Sequence, residues 1–271
     1  MNLDNDKIEL YAEQCILPYH DGDGLLWWSI RYYALKKLGV KQYRFDLEKE
    51  LDKFIVNGEV FRNIDHSKVK NTSRDMICGL LLAMTVMENP TKYLKEIYEY
   101  WKANNWTIGG NGPYDDRNKA TWNIRYLLGR LFEKHNMYIP WDLKVPSALW
   151  LPVDVGYPQH LKAIQYLIMK ECGEAGLLHT FMMKVQYFQD PLNALFAYLA
   201  GDCESACSLL NKFPTYRIPT IQDDYFTPYL WQRNSIKSPD DFLPEPHSHK
   251  QHEHNGIDYL LVAALLSNKT N

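Results

Sequence analysis

Three aspartates precede or open the most apolar helical segments of this chain. Asp21 and Asp23 alternate with glycines in HDGDGLLWWSIRYYAL, and Asp75 follows the serine and arginine of SRDMICGLLLAM. Paired carboxylates are the groups that cleave glycosidic bonds: one protonates the leaving oxygen, and the other activates water or attacks the sugar. The residue types and their positions therefore predict Asp75, Asp21 and Asp23 as catalytic acids.

Each of these carboxylates also has an ordinary structural explanation. A helix N-terminus carries a partial positive charge that stabilises an acid in its first turn, and Asp23 lies where an N-cap is expected. Asp75 could simply pair with Arg74. The DGDG string is similar to the start of a calcium loop, but apolar residues follow where oxygen ligands are needed. Calcium binding is therefore not predicted.

A second group of polar and aromatic side chains is suited to binding a substrate. Its members are Arg62, Arg74, Arg233, Trp231, Gln232, Tyr114 and His20. The arginines could bind the carboxylate of an acidic sugar or stabilise an enolate, although a salt bridge explains each of them equally well. Trp231 lies in PYLWQRN, a stretch without helical periodicity, where an aromatic ring is available to stack on a sugar.

Histidines and cysteines suggest metal sites at two places, and neither is predicted to hold a metal. Four histidines lie in the polar run HSHKQHEH, between His247 and His254, which indicates a flexible loop because structural zinc takes ligands from converging elements. Cys203 and Cys207 have the i, i+4 spacing of small buried residues on a helix. The chain lacks phosphate-loop, dinucleotide, zinc-protease and serine-hydrolase motifs, so no cofactor is predicted.

Composition and charge exclude several classes of partner. A net charge of −3 gives no broad basic field, so nucleic-acid binding is not predicted. The acidic N-terminus lacks the layout of a signal peptide, and no apolar run reaches the ~20 residues of a membrane span. The five cysteines form no CxxC pair, which is typical of reduced thiols in the cytoplasm. A protein packaged in a virion or released by lysis would have the same composition, and no oligomeric state follows.

Helical periodicity recurs along the chain, whereas the alternation typical of strands is scarce. Helices are predicted over 21–38, 47–54, 73–88, 91–105, 117–134, 158–172, 177–188, 191–200, 204–211 and 256–267. The connecting stretches predicted to be irregular are 56–72, 137–158 and 215–246. Helices 73–88 and 256–267 are apolar on every side, which predicts burial all round.

Apolar helices alternate with amphipathic ones, a pattern typical of stacked helical hairpins with inner and outer members. Helix 91–105 carries its apolar residues on one face and its lysines and glutamates on the other, so it is predicted as the outer partner of 73–88. No linker of flexible composition divides the chain, and residues 1–271 are predicted to form a single all-α domain.

The openings of three apolar helices share a polar character. They are HDGD at 20–23, SRD at 73–75 and NGID at 255–258, and long loops rich in Tyr, Trp, Arg and Gly precede them. If the helices form an inner ring and point the same way, their N-termini gather at one mouth. Carboxylates at a mouth walled by aromatic rings would form an acid–base site.

This layout resembles the (α/α) toroid of the six-hairpin glycosidase superfamily. The residues that carry the resemblance are DGDGLLWWSIRYYAL, GEVFRNIDHSKVKNTSRDMICGLLLAM, and FTPYLWQRNS followed by GIDYLL. The resemblance implies an (α/α) toroid, reduced or irregular at this length, with a central cleft that holds catalytic Asp or Glu, stacking Trp or Tyr, and Arg. It also implies carbohydrate chemistry, because the superfamily includes hydrolases and polysaccharide lyases.

Three functions are open at this point. The favoured one is a glycoside hydrolase that acts on an oligo- or polysaccharide through Asp75 and the aspartates of 21–23. In a polysaccharide lyase, an arginine would neutralise a uronate, and His20, His160 or Tyr114 would abstract the proton. A non-catalytic carbohydrate-binding or structural protein, virus-encoded for example, could use the same scaffold.

Overall fold

A computed structural model of the chain describes residues 3–14, 24–43, 45–64, 72–109, 119–147, 149, 157–174, 176–191, 193–211 and 257–267. Their regular structure is helical apart from one two-stranded antiparallel sheet. The all-α class predicted from the sequence is therefore confirmed. None of the helices in these ranges is long and apolar enough to cross a lipid bilayer.

The α-helices in these ranges are numbered in chain order. They are α1 (Asn5–Gln14), α2 (Gly24–Leu38), α3 (Leu47–Phe54), α4 (Arg74–Met84), α5 (Thr91–Ala103), α6 (Trp122–Lys134), α7 (Tyr157–Glu171), α8 (Leu177–Gln189), α9 (Ala194–Leu199), α10 (Cys203–Leu210) and α11 (Ile257–Ser267). All but α1 correspond to predicted helices, within a few residues at each described end.

A β-hairpin stands at the start of the stretch 56–72, which the sequence predicts to be irregular. Strand β1 (Ile55–Val56) pairs with β2 (Glu59–Val60) across Asn57 and Gly58. Both turn residues have positive φ, 52° and 80°, as a two-residue hairpin turn requires and as an Asn-Gly pair favours. The prediction is wrong here because strands of two residues are too short to show alternation.

Five of the described helices are buried on nearly every side. α2 is buried continuously from Gly24 to Leu35 and α4 from Met76 to Met84. α9 is buried over all its residues, and α7 and α11 over most of their described side chains. The burial predicted for the helices of 73–88 and 256–267 is confirmed.

The aromatic residues of α2 belong to the core. Trp27, Trp28, Tyr32 and Tyr33 are each 5% exposed or less. Arg31 lies among them and is also buried; its guanidinium donates to the carbonyl oxygens of Ala12 and Tyr43, each at 2.9 Å. Hydrogen bonds to the guanidinium offset part of the cost of burying its charge, and here they also attach α1 and the segment after α2.

The five buried helices contact one another in a cyclic order. α2 packs on α4, α4 on α7, α7 on α9, α9 on α11, and α11 returns to α2. Other helices pack against this set: α1 on α11, α3 on α2, α6 on α4 and α7, α8 on α7 and α9, and α10 on α9 and α11.

The predicted pairing of 73–88 with 91–105 is not what the structure shows. α4 packs mainly on α2, α7 and α6, whereas α5 packs on β2 and α6. The apolar face of α5 is buried as predicted, but Tyr98 turns its ring to Phe132 of α6, with 5.8 Å between ring centroids. An amphipathic pattern fixes which face is buried and leaves open which element covers it.

α2 and α4 run in the same direction. A Cβ added at Gly79 of α4 would lie 3.1 Å from the Cα of Leu26 in α2, so the first turn of α2 is in close contact with the middle of α4. Lys36, in the last turn of α2, reaches Glu88 just beyond α4, with 3.5 Å between Nζ and Oε1. Because later residues of α2 lie beside later residues of the α4 segment, the two helices are parallel.

α7 runs the same way as α2 and α4. Gln165 Nε2 donates to Cys78 Sγ of α4 at 3.4 Å, and Glu171 at the end of α7 accepts from Tyr33 Oη at 2.7 Å and Lys37 Nζ at 2.8 Å near the end of α2. The three helices therefore begin at one end of the structure, here named the common N-terminal end and defined by their first turns.

We expect Gly79→Val to destabilise the fold, because a side chain at this position would meet the backbone of Leu26. The free energy of unfolding should fall by about 2–3 kcal/mol in chemical denaturation, as for an overpacked core. Lys95→Val, which places the same side chain on an exposed position of α5, should cost under about 1 kcal/mol. Equal losses in the two variants would contradict the close packing of α2 on α4.

Candidate functional site

The first turn of α4 carries two of the predicted site residues. Arg74 and Asp75 are half-buried, and both interact with neighbouring groups. Ser73 occupies the predicted N-cap position, with φ −127° and ψ 167°, but its side chain makes no capping hydrogen bond. The helix start is thus predicted correctly, while the hydroxyl that should cap it is not used for that purpose.

Two hydroxyls next to Asp75 are buried and lack hydrogen-bond partners among the described residues. They belong to Thr72 and Ser73. Thr72 is held tightly, since a Cβ added at Gly109 would lie 3.0 Å from its Cγ2. A buried hydroxyl without a partner is costly, so this pair reduces the stability of the fold at the start of α4.

Arg62 lies at the same end of the structure. Its carbonyl oxygen accepts a hydrogen bond of 3.0 Å from the N–H of Leu25, the second residue of α2. Because α2 and α4 are parallel, the start of α2, the Arg62 backbone and the first turn of α4 are all at the common N-terminal end. The three predicted site residues that the structure describes therefore lie at the common N-terminal end.

The other predicted site residues lie outside the described ranges. They are Asp21, Asp23, His20, Tyr114, Trp231, Gln232 and Arg233. The histidines from His247 to His254, which are not predicted to hold a metal, also lie outside these ranges. Residues 20–23 directly precede Gly24 in the chain. Within the described residues, no group of three or more His, Cys, Asp or Glu side chains is arranged to hold a metal ion.

Cys78, one turn beyond Asp75, is not a nucleophile. Burial is the main reason that the pKa of its thiol is raised to about 12; the hydrogen bond from Gln165 and the charge of Arg74 lower the pKa, whereas the charge of Asp75 raises it. The thiol therefore stays protonated at neutral pH, and thiolate chemistry is excluded. Both charged side chains lie close enough to act on the sulfur electrostatically.

A buried lysine that is not among the predicted site residues lies in the middle of α7. Lys162 is 3% exposed, and no described carboxylate lies within 4 Å of its Nζ. Burial lowers the pKa of its ammonium group to about 8. A lysine flanked by Leu161, Ala163 and Ile164 in a helical segment is the signal that could have drawn attention to it.

His179, in the first turn of α8, lies close enough to this lysine for its charge to act on the imidazole. Both its ring nitrogens are buried and have no hydrogen-bond partner among the described residues. Burial lowers the pKa of the imidazole, and the charge of Lys162 lowers it further. Its ring lies 6.3 Å from that of Tyr166, whose hydroxyl is 3.1 Å from Thr180 Oγ1. Two basic groups thus share the interface between α7 and α8.

Comparison of the chain with protein-family models, with curated proteins and with solved structures gives no match.

Stability at alkaline pH tests the burial of Lys162. The pKa of Lys162 is about 8 in the folded chain and 10.5 ordinarily. Between pH 8 and pH 10.5 the lysine is therefore protonated in the unfolded chain and mostly deprotonated in the folded chain. The free energy of unfolding should therefore gain a contribution that rises with pH across this window. Lys162→Met lacks this contribution. The variant should be more stable than the wild type at pH 8, because it removes a buried charge, and this difference in the free energy of unfolding should shrink between pH 8 and pH 10.5. Parallel stability curves would show that Lys162 is not buried as described.

Proposed function

We propose that this protein is a carbohydrate-active enzyme, a glycoside hydrolase whose cleft lies at the common N-terminal end. One observation carries the proposal: Asp75 lies at the end of the structure where α2 begins. Asp75 is four residues, about 6 Å, before Gly79, and Gly79 packs on Leu26 near the start of α2. The chain connects Asp21 and Asp23 directly to that start.

We also propose that the cyclic contacts of α2, α4, α7, α9 and α11 form the inner ring of a reduced (α/α) toroid. The contact of α11 with α2 supports closure, because it joins the last described helix to one of the first. The helices that pack against this set would form the outer layer, with five hairpins in place of six. A ring of parallel helices places several N-termini around one mouth, which suits an anionic site.

In the proposed reaction, Asp75 is the general acid and an aspartate of 21–23 is the base. The protonated carboxyl of Asp75 gives its proton to the glycosidic oxygen as the bond to the anomeric carbon breaks. Water adds to that carbon and gives a proton to the second carboxylate, which restores the charge balance. The hydroxyls of Thr72 and Ser73 would bond sugar hydroxyls, and Arg62 and Arg74 would bind an acidic substituent.

Asp75→Asn tests the proposal on a panel of oligo- and polysaccharides. Loss of the general acid should lower kcat/KM by roughly 10²–10⁴-fold on any substrate that the wild type cleaves. The free energy of unfolding should change by no more than about 1 kcal/mol, the range for an acid in a helix first turn. Asp6→Asn is the matched control, because Asp6 is an exposed first-turn acid of α1 and should leave activity unchanged.

Product analysis separates the proposal from its rivals. Hydrolysis yields two saturated sugars, whereas a lyase leaves an unsaturated sugar that absorbs in the ultraviolet. An unsaturated product, full activity of Asp75→Asn, or binding of glycans without turnover by the wild type would each contradict the hydrolase proposal.

A second variant pair locates the other carboxylate. One of the two variants Asp21→Asn and Asp23→Asn should reduce kcat by roughly 10²–10⁴-fold. The other should leave kcat unchanged and lower only the free energy of unfolding, because it removes a helix N-cap. Added azide should restore part of the activity in the reduced variant if that aspartate is a nucleophile. Unchanged kcat in both variants would remove these residues from the mechanism.

A further inference from the structure

The interface between α7 and α8 encloses two basic side chains that the proposed hydrolase site does not use. Lys162 is 3% exposed, and both ring nitrogens of His179 are buried. No hydrogen bond or ion pair joins either side chain to a described residue. The two ring nitrogens of His179 are buried without a partner among the described residues, which is costly, and such groups call for an explanation such as a bound ligand.

No described carboxylate balances the two basic groups. Burial is the cause of the lowered pKa of Lys162, and burial together with the charge of Lys162 lowers the pKa of His179; no acid raises either value. The acids at the α7–α8 junction, Glu171 and Glu174, form ion pairs with other residues. An anion at this place would therefore meet attraction from two directions and no opposing negative charge from the described residues.

α8 carries polar as well as apolar residues on its inward face. Met183 and Gln186 are its buried residues, and Gln186 Oε1 is another buried atom without a partner among the described residues. His179, four residues before Met183 and seven before Gln186, lies on the same face. Leu177 and Phe188 are 92% and 87% exposed. The inward face therefore mixes an apolar side chain with two polar ones whose buried atoms have no described partner.

The start of α8 adds a further favourable contribution for an anion. Gly176 is its N-cap and supplies no side-chain hydrogen bond. The first-turn N–H groups of this 13-residue helix therefore carry an uncapped partial positive charge, and His179 is the third residue of that turn.

We propose that Lys162 and His179 form a binding site for an oxyanion, the carboxylate or phosphate group of a small ligand. The ammonium group and the protonated imidazole would donate charge-assisted hydrogen bonds to its oxygens. The site lies between α7 and α8 and does not depend on the hydrolase proposal.

Titration of the full-length protein with inorganic phosphate, and separately with acetate, tests the site. Binding should raise the Tm of the wild type and move the ¹H–¹³C resonance of the His179 ring toward its protonated position. Lys162→Met should weaken the affinity by about tenfold or more, since a hydrogen bond to a charged group is lost. Lys162→Arg should keep most of the affinity, and Lys95→Met, on the exposed face of α5, should bind like the wild type.

Lys162→Met should also be more stable than the wild type without anion, because it removes an uncompensated buried charge. Where this variant does not fold, His179→Asn replaces it, with the same expected loss of affinity. A response to phosphate alone, to acetate alone or to both supports the site and identifies the group it prefers. Equal stabilisation of the wild type and the Lys162→Met variant, or an unmoved His179 resonance, would overturn the proposal.

Discussion

A helix that is apolar on every side must be covered on every side by other protein, and the rest of this structure depends on that constraint. α2 is covered by α4 and α11, and α4 by α2, α7 and α6. Each buried helix has two such neighbours, and amphipathic helices cover the set from outside. Of the polar groups considered for ligand binding, Asp75 accordingly lies at a helix end, and Lys162 and His179 lie where α7 packs against α8.

The two ends of the parallel helices differ in their chemistry. Where α2 and α7 end, the Glu171 carboxylate is bound by Tyr33 and Lys37, so its charge is compensated. Where α2 and α4 begin, Asp75 is half-buried, and the Thr72 hydroxyl, three residues before it in the chain, is buried and has no partner among the described residues. Satisfied polar groups stabilise a fold, whereas unsatisfied buried ones reduce its stability. This contrast favours the common N-terminal end as the place of ligand chemistry.

Sequence patterns predicted the features that depend on neighbours along the chain. The burial of 73–88 and the position of Asp75 at a helix start follow from periodicity and from the residues that begin helices. The parallel alignment of α2 and α4 depends on long-range packing, which periodicity does not contain. The proximity of Lys162 to His179 was missed for the same reason, because the two residues lie on different helices that only long-range packing brings together.

The separation of the carboxyl groups of Asp75 and the nearer of Asp21 and Asp23 in an experimental structure tests the central claim most directly. Hydrolysis of a glycosidic bond by paired carboxylates requires about 5–5.5 Å for retention or about 6.5–9.5 Å for inversion. We predict a separation within these ranges, with both groups facing one cleft. Carboxyl groups well beyond about 10 Å apart, or on different faces of the protein, would contradict the account.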